Sequence, residues 1–106
     1  MIETVFTYTA TDEQIIERLV NEDAVMINHV VLSAGERLPE HHSDSNVFMI
    51  IVRGTLSIKL DEQAAHTYSE RVVQVPFHTK MNIANGGEEA VEFFIVKAPH
   101  PRVYKE

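Results

Sequence analysis

Six histidines and no cysteine narrow the chemistry open to this chain. Thiolate nucleophiles, disulfides and zinc-finger patterns are excluded, which leaves imidazole as the side chain able both to bind transition metals and to move protons near neutral pH. Two of the six, His41 and His42, are adjacent and are followed by Ser43, Asp44, Ser45 and Asn46. His78 and Met81 lie in a second stretch that opens with Pro76. A His41–His78 pair completed by Met81 or water would make a centre for nickel, copper or zinc. His41 with Asp44 would make a general-base pair, although residues three apart on a regular strand face opposite sides. His29 sits inside an apolar run, where the simplest role is a core or interface histidine hydrogen-bonded to backbone.

These residues act only where the surrounding elements place them. Two apolar-rich runs, 47–52 and 55–60, meet at Arg53-Gly54, which reads as a β-hairpin turn because glycine supplies positive φ. Val5 to Tyr8 reads as a first strand. Thr11-Asp12-Glu13-Gln14 has the form of a capping box, and Ile15, Ile16, Leu19 and Val20 then fall on one face of a predicted short helix, with Glu13, Glu17 and Arg18 on the other. Ala24 to Leu32 is a strand that is apolar on both faces and hence well buried. His66 to Tyr68, Val72 to Val75, Thr79 to Ala84 and Val91 to Val96 read as further strands, with Pro76 ending one and Asn85-Gly86-Gly87 forming a hairpin turn. Many short strands with turns about every ten residues predict an all-β barrel or sandwich with one short N-terminal helix.

The chain of 106 residues suits one domain with one core. A net charge of −7 with only nine Lys and Arg excludes nucleic acid and anionic membrane as main partners. No apolar run approaches the roughly 18 residues of a membrane span. The N-terminal stretch lacks the basic and apolar regions of a signal peptide, so a reducing cytoplasm is the expected compartment. The acidic residues Asp12, Glu13, Glu17, Glu22, Asp23, Glu88, Glu89 and Glu92 read as a solvated surface, and Arg53, Arg71 and Lys80 could line a barrel mouth.

The order of elements and two degenerate motifs resemble the RmlC-like cupins over about residues 24–98. The family's first motif runs Gly, five residues, His, one residue, His, three or four residues, Glu, six residues, Gly. Gly35, His41 and Gly54 match it, while Ser43 stands at the second His and Val47 at the Glu. The second motif runs Gly, five residues, Pro, one residue, Gly, two residues, His, three residues, Asn. Pro76 and Asn85 match, Glu70 and His78 stand at the glycines, and Met81 replaces the metal-binding His. The resemblance implies a cupin double-stranded β-barrel, or jelly roll, as a single domain over residues 1–106.

Of the four ligands that the family motifs supply, His41 alone is kept, so the inherited divalent-metal site is expected to be absent or weakened. His41 and His78 remain the weak candidates for a transition metal. Val47, Met49 and Met81 would give a dry, apolar hollow, with His41, Ser43 and Asn46 as its polar groups, suited to a small organic ligand. Three functions therefore stay open: a small-molecule-binding cupin without the usual metal, a metal-dependent dioxygenase or isomerase rewired around His41 and His78, and a metal-free acid–base isomerase or epimerase with His41 as base. The resemblance also implies a homodimer, with the N-terminal segment or the edge at Val72 to Val75 adding strands across an interface.

Overall fold

A computed structural model describes residues 1–104. The strands are β1 (Ile15–Asn21), β2 (Met26–Leu32), β3 (His41–His42), β4 (Val47–Arg53), β5 (Leu56–Leu60), β6 (His66–Tyr68), β7 (Val72–Val75), β8 (Lys80–Ala84) and β9 (Val91–Lys97), followed by a 3₁₀ turn over Pro101–Tyr104. They form two antiparallel sheets. One has five strands in the order β1-β2-β9-β4-β7, and the other has four in the order β3-β8-β5-β6. Among the described residues no helix is long and apolar enough to cross a membrane.

Alternation along each strand builds the core between the sheets. Val30 and Leu32 on β2, Val47, Met49 and Ile51 on β4 and Val91 and Phe93 on β9 meet Leu56 and Ile58 on β5 and Met81 and Ile83 on β8 in one buried cluster. Each such side chain contributes about 1.5–3 kcal/mol of transfer free energy, which is why the strand period dictates the layer arrangement.

The two turns expected to close hairpins instead carry the chain from one sheet to the other. β4 pairs with β7 and β9, whereas β5 pairs with β6 and β8. Gly54, at φ 76°, sits against the backbone of Ala90 and Val91, and a Cβ there would lie 2.4 Å from the Ala90 carbonyl oxygen. Close approach of two sheet-to-sheet connections, rather than a tight hairpin, is what requires glycine here.

The predicted helix is absent, and its residues form β1. Ile15, Glu17 and Leu19 are half-buried while Ile16 and Arg18 are exposed, the alternation of a strand. The Thr11 hydroxyl accepts the N–H of Glu13, two residues on, which is a local turn and not a capping box. Val5 to Tyr8 is likewise not a strand but part of an exposed arm.

Strand pairing of β1 with β2 also explains His29. Glu17 lies opposite His29 in register, and His29 is fully buried. Its Nδ1 lies 2.8 Å from Glu17 Oε2 and its Nε2 lies 2.6 Å from Glu92 Oε2, so each ring nitrogen is met by a carboxylate. The partners are thus carboxylates from β1 and β9, not backbone, and Glu17 and Glu92 leave the solvated acidic surface to which sequence assigned them. Tyr8 covers the ring at a centroid distance of 4.7 Å. A register shift between Ile51 and Arg53 sets Arg53 opposite Glu92, where its Nε donates to that carboxylate at 3.2 Å while Nη1 reaches Asp12 at 2.6 Å.

The Thr9 hydroxyl and amide, followed by His29, hold the Glu17 carboxyl at about 2, below its ordinary 4.5. Folding therefore favours the ionised form, and this stabilisation is complete above about pH 4.5 and drains away as the pH falls toward 2. Glu17→Gln removes the titrating group, so the variant should lose less of its remaining stability than the parent across that interval, as read by denaturant unfolding at a series of pH values.

Candidate functional site

Of the residues singled out by sequence, His41 and Met81 are brought together where β3 pairs with β8. His41 and Met81 are register partners, as are His42 and Lys80. His41 is half-buried and donates from Nδ1 to the Pro39 carbonyl at 2.8 Å, whereas His42 is exposed. Ser43 is 1% exposed. Its hydroxyl donates to the Pro76 carbonyl at 2.6 Å and accepts the Thr79 N–H at 2.8 Å. Backbone bonds from Ser43 N–H to the Thr79 carbonyl and from His78 N–H to the Ser43 carbonyl complete the tie. Ser43 thus fastens the β3 segment to the turn before β8.

Val47, Met49 and Met81 are 1%, 0% and 2% exposed and belong to the packed core, so their own side chains take up the hollow expected between them. Asn46 donates weakly, at 3.4 Å, to the Ala98 carbonyl, and accepts the Ala98 N–H through its backbone. Asn85, at the last position of the second motif, bonds the carbonyls of Leu32 and Glu89 and accepts the Gly87 N–H, a purely architectural set.

This donor set does not fit a divalent metal. Such a centre needs about three protein donors within roughly 2.0–2.3 Å of one ion. The Ser43 hydroxyl is already spent on backbone groups, Val47 offers hydrocarbon, and Met81 lies in the core. The Nδ1 bond of His41 leaves its Nε2 free, but one imidazole is not a site. His78, at φ 67°, is exposed and stacked on Phe77 at a centroid distance of 3.9 Å. Among the described residues no group of three His, Cys, Asp or Glu side chains is placed to hold an ion. Asp44 does not serve His41 either, because it pairs with Lys97 at 3.0 Å.

Of the cations expected at a barrel mouth, Arg53 is engaged by Asp12 and Glu92, and Arg71 donates to the carbonyls of Ser69 and Glu70. Lys80 instead borders a groove of about 360 Å³ on the outer face of the four-stranded sheet, together with Arg37, Glu40, Ser57, Lys59 and Asn82. The signal for it was the outward alternation Ser57, Lys59 and Lys80, Asn82, Ala84. It stays hidden until the pairing of β5 with β8 sets Lys59 opposite Asn82.

Two facing antiparallel sheets joined by crossovers, with Gly35, Gly54, Pro76 and Asn85 at the joints, define a double-stranded β-helix, and the chain belongs to the RmlC-like cupin family. It is 44% identical over 104 residues to the uncharacterized protein MJ0764 of Methanocaldococcus jannaschii, spanning 96% of this chain and 90% of that protein. The crystal structure of MJ0764, described as an RmlC-like cupin family protein with a double-stranded beta-helix fold, matches with a TM-score of 0.95 at 42% identity, over 100% of this chain and 99% of the other. The cupin superfamily protein DSY2733 of Desulfitobacterium hafniense matches with a TM-score of 0.73 at 20% identity, over 87% and 83% of the two chains, which shows the fold alone. The same holds for the Schizosaccharomyces pombe Cnp3 cupin domain, with a TM-score of 0.73 at 22% identity, over 85% and 67%. No family model matches the chain.

Ser43→Ala should lower stability by about 1–3 kcal/mol, because it strands a buried carbonyl and a buried N–H. Equilibrium denaturation checks this, and a neutral outcome would mean that the Ser43 tie is dispensable.

Proposed function

We propose that this protein is a small-molecule-binding member of the cupin family that works without the family's metal chemistry and takes its ligand outside the packed barrel. One observation carries the reading: the ligand positions of the family motifs hold Ser43, Val47 and Met81, all buried and engaged in packing or backbone bonds. Neither enzymatic alternative has comparable support, since His78 is stacked on Phe77 at the surface and Asp44 is paired with Lys97. Purified protein dialysed without chelator should carry well under one equivalent of transition metal by elemental analysis. A stoichiometric metal that disappears in His41→Ala would overturn the reading.

The same proposal includes assembly as a homodimer, with a second copy seated on the outer face of the five-stranded sheet. There an apolar groove of about 330 Å³ is lined by Leu19, Val20, Ile27, Ile50, Phe94 and Val96, with Phe6 and Tyr8 of the arm. Phe6, Tyr8 and Val5 are 47%, 53% and 65% exposed. The accessible surface is 6630 Å², whereas a compact monomer of 12.1 kDa should expose about 6,000 Å². The surplus, about 600 Å², reflects an arm whose first ten residues are all exposed. Sedimentation equilibrium at micromolar concentration should give a dimer that tightens with added salt, because each copy carries −7. Phe6→Asp should shift it to monomer with an unchanged circular dichroism spectrum. A parent chain that stays monomeric would refute the assembly.

A further inference from the structure

We propose that the groove across β5 and β8 binds a small organic anion with two negative charges, held by Arg37, Lys59 and Lys80. This rests on the binding-module reading and names the site and the ligand class for it. The first support is charge placement. The chain has sixteen acidic and nine basic residues, yet three of those nine border this one groove, with Glu40 as the one carboxylate in its lining. Three cations and one carboxylate form the lining, and the carboxylates of Asp61 and Glu62 stand beside Lys80 at its edge.

The second support is how these cations are left. Elsewhere Arg53 and Arg102 each hold a carboxylate at 2.6 Å, and Lys97 holds one at 3.0 Å. Around the groove, Arg37 has no ion pair and no side-chain hydrogen bond among the described residues. Lys59 donates to the carbonyl of Asp61 at 2.7 Å and has no ion pair within 4.0 Å among the described residues. Lys80 is 3.6 Å from a Glu62 side chain that is itself 90% exposed. Exposed pairs of that kind hold with little energy and give way to a better anion.

The third support is register. Lys59 faces Asn82, Ser57 faces Ala84, and Arg37 bridges to Ala84, so donors from three segments lie side by side on one sheet face. The short side chains of Ala65 and Ala84 lie in the lining and leave room between the longer ones. A ligand with a few carbons between two anionic ends fits this lining, with the guanidinium of Arg37 able to meet one end in a bidentate pair and the two ammonium groups the other. The volume falls within the range of small-molecule sites.

Carboxylate and phosphate ends share this chemistry, and the experiment separates them. Isotope-labelled protein is titrated with succinate, with glycerol phosphate and with neutral succinamide, following amide shifts by NMR. One of the two anions should bind saturably, moving Ser57, Asn82 and Ala84, while succinamide does not. The tighter anion identifies the source. Arg37→Gln and Lys80→Gln should each weaken binding about tenfold, and Arg71→Gln, remote from the groove, should not. Arg37 is exposed, so its replacement leaves the fold intact. Absence of saturable binding by both anions overturns the proposal, as does an affinity unchanged in Arg37→Gln or equally reduced in Arg71→Gln. A failure here leaves the metal analysis unaffected, whereas a stoichiometric metal at His41 defeats the wider reading whatever the groove binds.

Discussion

Two facing sheets must fill the space between them, and in this protein hydrocarbon and sulfur fill it. Phe93, Met49, Met81, Leu56 and Ile83 are buried to within 2% and interdigitate from both layers. Packing at that density has no room to spare, so a donor placed among these residues would be desolvated unless it found a partner at once. Ser43 shows the terms on which a polar group is admitted, since both of its hydrogen-bonding roles are filled by backbone at the β8 turn. The same filling that stabilises the sandwich thus also sets what a polar group between the layers must satisfy.

The outer faces of the two sheets are unlike each other. The four-stranded sheet turns lysine, asparagine and serine outward on β5 and β8, and arginine reaches it from the preceding segment. The five-stranded sheet turns Ile27, Ile50, Phe94 and Val96 outward, and its polar corner is concentrated where Glu17, His29, Glu92 and Arg53 interlock beneath Tyr8. Charge at that corner is confined to groups that answer one another, and the arm is drawn across it through Thr9 and Asp12. The molecule thus has a charged side and an apolar side, separated by a core that takes part in neither.

The family resemblance was legible because it rests on positions with backbone duties. Gly35, Gly54, Pro76 and Asn85 sit at joints whose geometry few residues satisfy, and they survive the loss of the ligands around them. The strands from β2 onward, except the two-residue β3, were also legible, from alternation and from breakers such as Pro76. The N-terminal segment was not. Ile15, Ile16, Leu19 and Val20 satisfy a helical spacing as well as a strand, and what decides between them is the pairing of Glu17 with His29, a contact between strands that no local pattern contains. The connections at Arg53-Gly54 and Asn85-Gly86-Gly87 misled for a related reason: a glycine-rich turn states that the chain reverses, not which sheet it enters next. The groove escaped notice because its residues come from three separate stretches that only the β5–β8 register unites.

Gly54 also says which parts of such a scaffold are negotiable. A coordinating side chain can be traded for valine or methionine and the neighbours absorb the difference in volume, since side chains relax. At Gly54 the obstacle to any added atom is a main-chain oxygen belonging to the other connection, with the α-carbon of Val91 behind it. Neither can yield without displacing an entire strand. The point where two stretches of bare backbone touch is accordingly the one that admits no added atom.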